Sequence, residues 1–454
     1  PLSGLFSHTF QSMTSIALSR LLAVAAIVGA LAPAASGQSR SLADQHRDSM
    51  LASQHMVMAG RDIETVSPEM RDSVRSLIQM FYDDQFRHSQ DPEVPYFMFL
   101  SKDASLAGGI GVCVRMRGYF DWDGAQPTSA FAPYLIPIDR DPAKMRHFGT
   151  SPAGTTLFVS VIGRNPSFGN CQIYIEANFN GYNTRDFHLK KAYATVNDFT
   201  VGYASSSFSD PAAVPPMIDA QGPNNKISNT SVLVRWMPKV GRWVFAVSAE
   251  TPETHITAVD GQSEPIEEWL PDGAGFVQYE WGPTSHVRLS GIVRSLSYRD
   301  LLSGRNHYKA GWGMMLSSVA HPTRNITTYC SVNYGRGYAG MGGDLLMGNY
   351  DLVPDPERPG RLQMPASFGY CLGVQYNFTP ELYASTSISQ TRYLPSGQVD
   401  PEEYKYGMMG NVNLMWNPVP RLQTGVEFDY GLRHNFSGRQ RWGRRVGAMV
   451  QFSF

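Results

Sequence analysis

A chain of 454 residues has room for several domains, but 38 Lys plus Arg against 39 Asp plus Glu leaves a net charge of −1 and no basic excess for nucleic acid. At 42% hydrophobic residues and a mean hydropathy of −0.25 it is too polar for a bundle of membrane-spanning helices. Aromatics at 12% and 42 glycines instead suit a β protein rich in turns.

The N-terminal stretch has the plan of an export signal. Met13 reads as the start, with residues 1–12 an upstream extension. Arg20 supplies a positive charge, Leu21 to Leu31 an apolar run, and Ala32 to Gly37 small residues suited to cleavage near Ala35 or Gly37. That run is short for a membrane-spanning helix. Residues 1–37 are therefore expected to be a signal peptide, and residues 38–90 a periplasmic helical extension.

Ser41 to Arg87 reads as helical and polar. Ser67-Pro68-Glu69 has a cap, a proline at the first helical position and an acid in the first turn. Met70, Val74, Leu77, Ile78 and Phe81 then recur at helical spacing. The stripe is either a seam between subunits or a face docked on the chain's own base. Asp91-Pro92 ends this region, since proline disfavours helix in the residue before it.

From Gly109 the period becomes two. Val446, Ala448, Val450, Phe452 and Phe454 share one face of the last strand, and Arg445, Gly447, Met449, Gln451 and Ser453 the other. Leu422 to Tyr430, Trp243 to Glu250 and Val277 to Trp281 alternate in the same way. Each strand thus has one apolar and one polar face. A soluble sandwich also alternates, so the aromatics decide. Trp236, Trp243, Trp281, Trp416, Tyr376 and Phe378 flank short proline-bearing turns, as a girdle at a lipid–water interface would. The opposite connections, Arg336 to Pro365 and Leu394 to Glu403, are longer. Short turns on one side and long loops on the other mark an outer-membrane barrel. At about ten residues per strand, Gly109 to Phe454 holds about 16 strands. The expected fold is all-β: an antiparallel transmembrane β-barrel over 91–454, with a short N-terminal α-helical extension and an inward loop near 207–225.

Alternation also assigns the charges. Arg115, Arg117, Arg235, Arg288, Arg294, Lys309, Arg433 and Arg445 fall on the inward register, as do Glu176, Glu250, Glu280, Glu427 and Asp429. An Arg or Lys facing lipid at mid-membrane would cost about 2–4 kcal/mol, which favours the inward reading. Facing basic and acidic walls would set a transverse field, with Asp210 and Asp219 of the inward loop on the acidic side. The larger basic set suggests mild anion preference. Such Arg–Glu pairs can equally brace the wall.

Other motifs carry little. Cys113, Cys171, Cys330 and Cys371 contain no CxxC pair and are read as unpaired, strand-borne residues rather than a metal cage or a disulfide framework. Gly335-Arg336-Gly337-Tyr338-Ala339-Gly340 fits GxGxxG, but it leads into Met341-Gly342-Gly343, read as a flexible loop, and not into a strand–helix unit. His286 and His321 read as surface residues. No GxSxG, HExxH or phosphate loop occurs, so no catalytic, cofactor or metal site is assigned.

In order along the chain, several segments resemble one family. They are Asp91-Pro92-Glu93-Val94-Pro95-Tyr96-Phe97 with Leu100-Ser101-Lys102-Asp103 and Gly109-Ile110-Gly111, then Lys190-Lys191-Ala192-Tyr193 with Gly202-Tyr203. Phe208-Ser209-Asp210-Pro211, Ile218 to Asn224, Glu250-Thr251-Pro252-Glu253, Gly425-Val426-Glu427 and the terminal Phe454 follow. The pattern is similar to DcaP-type porins and their Bacteroidetes relatives over about residues 90 to 454. The resemblance implies a homotrimeric porin of the outer membrane, set in its lipid, that passes small polar solutes, anionic ones included, through a loop-narrowed pore. A structural anchor or adhesin using the long loops is the alternative; an enzyme is not expected.

Overall fold

The structure, a computed structural model, describes residues 41–58, 69, 72 and 95–454, apart from 102–104, 127, 166, 168, 180–185 and 283. Sixteen antiparallel strands form a closed barrel. The first is Leu106–Trp122. The second comes in two pieces, Arg146–Ser151 and Thr156–Asn165, both paired with the first. Each later strand pairs with its sequence neighbour, and the last, Gln440–Ser453, pairs back onto Leu106–Trp122. Phe454 continues that seam: its N–H donates to the Val112 carbonyl at 2.7 Å, and the Val112 N–H donates to the Phe454 carbonyl at 2.9 Å. Closure leaves the large sheet without the unpaired edge that hydrocarbon cannot satisfy.

Parity decides what meets lipid. Val450 and Phe454 are 54% and 45% exposed, whereas Arg445 and Met449 on the opposite register are 1% and 2% exposed. Two aromatic girdles bound the outer face. At the short-turn end Phe199 lies against Trp236, and Trp243 against Tyr279. At the long-loop end Tyr430 stacks on Trp442 with centroids 4.4 Å apart. Gly241, at φ +62°, supplies the left-handed turn before Trp243. The long connections fall where alternation ends, after Arg336 and after Leu394. None of the four cysteines forms a disulfide.

At the short-turn end lies a helix, Leu42–Ala52. Ser41 caps it by accepting from the Asp44 N–H. The helix lies against the base of the barrel. Its Leu42 N–H donates to the Arg324 carbonyl at 3.0 Å, Thr284 donates to Asp44 at 3.1 Å, and Arg421 donates to Ser53 at 2.9 Å. The helical reading of 41–87 fails at residues 55–58, and most of the stretch after them lies outside the described residues. His55–Met58 is a strand, parallel to Phe97–Leu100, which itself pairs with the first barrel strand. The edge of Phe97–Leu100 offers this short segment a complete ladder, which outweighs its helical preference. The signal segment and the Met70–Phe81 stripe lie outside the described residues.

Three long loops fold into the barrel. In the first, between Trp122 and Arg146, Phe131, Ala132 and Ile136 are fully buried. In the third, between Ser205 and Thr230, Ser206, Ser207, Phe208 and Ser209 are fully buried. In the sixth, between Arg336 and Ala366, Tyr338, Met341, Leu345 and Tyr350 are buried. The GxGxxG run opens this sixth loop. It leads into a 3-10 turn, Ala339–Met341, and a short helix, Gly343–Leu346, not into a flexible loop. Apolar residues of loop and wall pack there: Phe208, Ile227 and Met341 against Ile292 and Met315.

Candidate functional site: a lumen crossed by its third loop

Inward arginines hold the loops, because an extended side chain on a strand can reach a backbone carbonyl that no ladder satisfies. Arg115 and Arg117 both donate to the Ile218 carbonyl, at 2.9 and 3.1 Å. Arg288, fully buried, donates to Gln278 at 2.7 Å and to the Ser209 carbonyl at 3.0 Å, with Asp210 at 3.7 Å. Arg445 clasps Asp121 at 2.6 and 2.9 Å and Asp219 at 3.1 Å, and reaches the Thr128 and Ser129 carbonyls of the first loop. Arg294 pairs with Asp272 at 3.2 Å and with Asp351 of the sixth loop at 2.8 Å. Arg433 donates to the Tyr134 carbonyl at 2.6 Å. Arg235 donates to the Ser205 carbonyl at 3.2 Å, where the third loop begins.

Acidic wall residues act in the same way from the acceptor side. Glu427 accepts the backbone N–H groups of Ile218 and Asp219 at 2.8 and 2.6 Å. Glu250 accepts the Ser207 N–H at 2.9 Å. Glu280 pairs with Lys239 at 2.8 Å and Glu176 with Lys190 at 2.6 Å. Asp429 lies beside Glu427 and Arg445 in a polar cavity of about 10 Å³, room for about one water. Glu427, Asp429, Arg115, Arg117 and Arg445 therefore meet in one cluster around Ile218 and Asp219, not on two facing walls. Arg294 and Arg433 stand apart from it, and Lys309 lies further out near the long-loop end.

Within the third loop, Asp210 sits against His286 at 3.0 Å. Burial raises its pKa, but Arg288 and His286 outweigh burial and hold the carboxyl well below the usual range. His286 and His321, read as surface residues, are 4% and 9% exposed. His286 opens its strand on the inward register, and Ser285 packs His321 at 2.9 Å under the barrel base. Asp219 accepts the Phe131 N–H at 3.0 Å, tying the third loop to the first.

Four contributors were missed from sequence: Asp121, Asn224, Lys226 and Asp344. Asp121 alone carried a signal, its parity with Arg117. The others lie in loops without period. Asn224 donates to Asp344 at 3.1 Å and to the Gly407 carbonyl at 3.0 Å, joining the third loop to the sixth and to the wall. Asp344 also accepts from Tyr404 at 2.9 Å, and burial pushes its carboxyl up to about 7. A carboxyl raised in the folded state favours folding while protonated. That contribution is full below the unfolded value near 4 and is lost as pH rises through about 7. Wild-type barrels should thus unfold at higher urea at about pH 5 than at about pH 8. Asp344→Asn should narrow that gap, and an unchanged gap would refute the assignment.

Closed by sixteen strands, belted with aromatics and crossed inside by its third loop, the molecule has the fold of an outer-membrane β-barrel. No family model matches the chain, and no curated protein matches it in sequence. Among solved structures it is similar to the outer membrane channel DcaP of Acinetobacter baumannii. That match has a TM-score of 0.66 and 19% identity, over 78% of this chain and 99% of that one. It is also similar to an anion-selective porin from Comamonas acidovorans, with a TM-score of 0.52 and 9% identity, over 77% and 100% of the two chains.

Proposed function

We propose that this chain is a DcaP-type porin: a homotrimeric channel for passive diffusion of small polar solutes, with a preference for anions. The observation that carries the reading is the charge balance where the third loop crosses the lumen. Of the acidic side chains there, Glu427 is occupied by backbone N–H groups and Asp219 by Arg445 and Phe131, and Asp429 keeps one oxygen without a donor among the described residues. More donors are unspent. Arg115 Nε and Arg117 Nε and Nη2 have no acceptor among the described residues. Lys226 comes from the loop itself; burial, and then the charge of Lys190 on the wall, lower its pKa. An excess of unspent donors at a constriction favours anions.

In this reading residues 1–37 direct export, and residues 38–90 stay on the periplasmic side, where the helix Leu42–Ala52 already meets the short turns. Three of the long loops that an adhesin would present fold inward instead. The channel works without cofactor or catalytic chemistry. Reversal potentials across a planar bilayer with a salt gradient test it: anion preference is expected, and cation preference or a folded oligomer that never conducts overturns it. Migration of unheated samples as a species three times the heated mass is the expected sign of the trimer.

A further inference from the structure

On the lipid face of the last four strands lies a groove of about 400 Å³, within the roughly 300–1,000 Å³ of small-molecule sites. Its floor is Gly410, flanked across the sheet by Ile388 and Tyr430. Val412 and Phe428 continue it toward mid-membrane, and Trp442, stacked on Tyr430, forms one wall. The absent side chain at Gly410 is what makes the depression.

The rim is cationic. Two residue pairs toward the long-loop end, Arg392, Tyr406 and His434 lie side by side on the same outer face. Arg392 rests over the Tyr406 ring at 4.8 Å, and Tyr406 stacks on His434 at 4.7 Å. Its Nε donates to the neutral Gln390 at 2.9 Å, and among the described residues no carboxylate pairs with it. Arg444 adds a second cation at the level of Tyr430, though it stands 3.7 Å from the Asp123 carboxylate, which leaves Arg392 as the cation without a carboxylate partner among the described residues. A guanidinium on the lipid face is costly at the midplane but tolerated near the interface, and a phosphate there would turn the remaining cost into attraction.

We propose that this groove binds one molecule of the phosphorylated glycolipid of the outer leaflet, lipid A, with an acyl chain over Gly410 and a phosphate on Arg392. Charge complementarity and position decide the occupant. The cations stand at the long-loop end, where the anionic headgroups of that leaflet lie, directly above an apolar trough pointing to the bilayer centre. The inference rests on the orientation of the barrel and not on conduction.

Native mass spectrometry of the folded full-length chain, loaded with lipid A in detergent, tests it. The wild type should retain one lipid A per protomer and lose dephosphorylated lipid A at least about tenfold more readily, a difference of about 1.4 kcal/mol. Gly410→Leu should reduce lipid A retention by a similar factor. A side chain there fits the wall, since the nearest atom to an added Cβ is the Ser387 carbonyl oxygen at 3.7 Å. Arg392→Gln should erase the discrimination between the two lipids while leaving phosphatidylcholine retention unchanged. Equal retention of both lipids by the wild type overturns the proposal. So does a Gly410→Leu chain that keeps its lipid but falls apart into monomers, which would make the groove the seat of a second copy.

Discussion

Arg445→Ala should destabilise the barrel by about 3–5 kcal/mol, the usual cost of removing one partner from a buried ion pair, and should raise single-channel conductance. Arg445 is 1% exposed and faces two carboxylates, Asp121 and Asp219, that are themselves buried. Without it both would stand close together with no cation between them. Burial and mutual repulsion then act in the same direction. Neutralisation or movement of a loop is the only relief, and Asp219 belongs to the loop. The Thr128 and Ser129 carbonyls also lose their donor. The third loop and the first should therefore loosen together, widening the lumen. Asp121→Asn added to Arg445→Ala should recover part of the stability but not the original conductance. Urea unfolding followed by gel migration reads the first effect, and planar-bilayer recording reads the second. An Arg445→Ala chain with unchanged unfolding and conductance would show that other contacts seat the loop.

Lys226→Glu should move ion preference further than any single wall substitution. At about 5 Å in water a unit charge is worth about 0.8 kcal/mol to a passing ion, roughly fourfold in local concentration. Reversing the charge doubles this, to about fifteenfold for anions at the constriction. Wall arginines are poorer levers. Arg288 and Arg445 already spend their donors on loop carbonyls and carboxylates, and their loss moves the loop as well as the charge. Lys226→Gln should give about half the free-energy shift of Lys226→Glu if the effect is electrostatic. Reversal potentials that barely differ among the three chains would place Lys226 off the ion path.

The wall was legible for a definite reason. A strand between lipid and lumen must alternate, so Val446, Val450 and Phe454 announce the outer face and Arg445 the inner one. The same rule put Arg115, Arg117, Glu427 and Asp429 on the inward register. It was silent about their partners. Arg445 and Asp219 are 226 residues apart in sequence, and the residues around Asp219 have no period to read. His286 went wrong at the same boundary: a histidine at a strand end looks solvent-facing until a loop folds over it.

Sequence alone determined the strand parity, the aromatic girdle at the short turns, the bounds of two long connections and the face of the final strand, because lipid on one side and water on the other impose them residue by residue. Tertiary structure decided where the long loops go. Three of them turn inward because buried arginines and carboxylates on the wall need partners that only loop carbonyls, N–H groups and Asp210, Asp219 or Asp351 supply. It also turned His55–Met58 into a strand, since a free ladder edge is a property of the neighbouring chain and not of the four residues that take it.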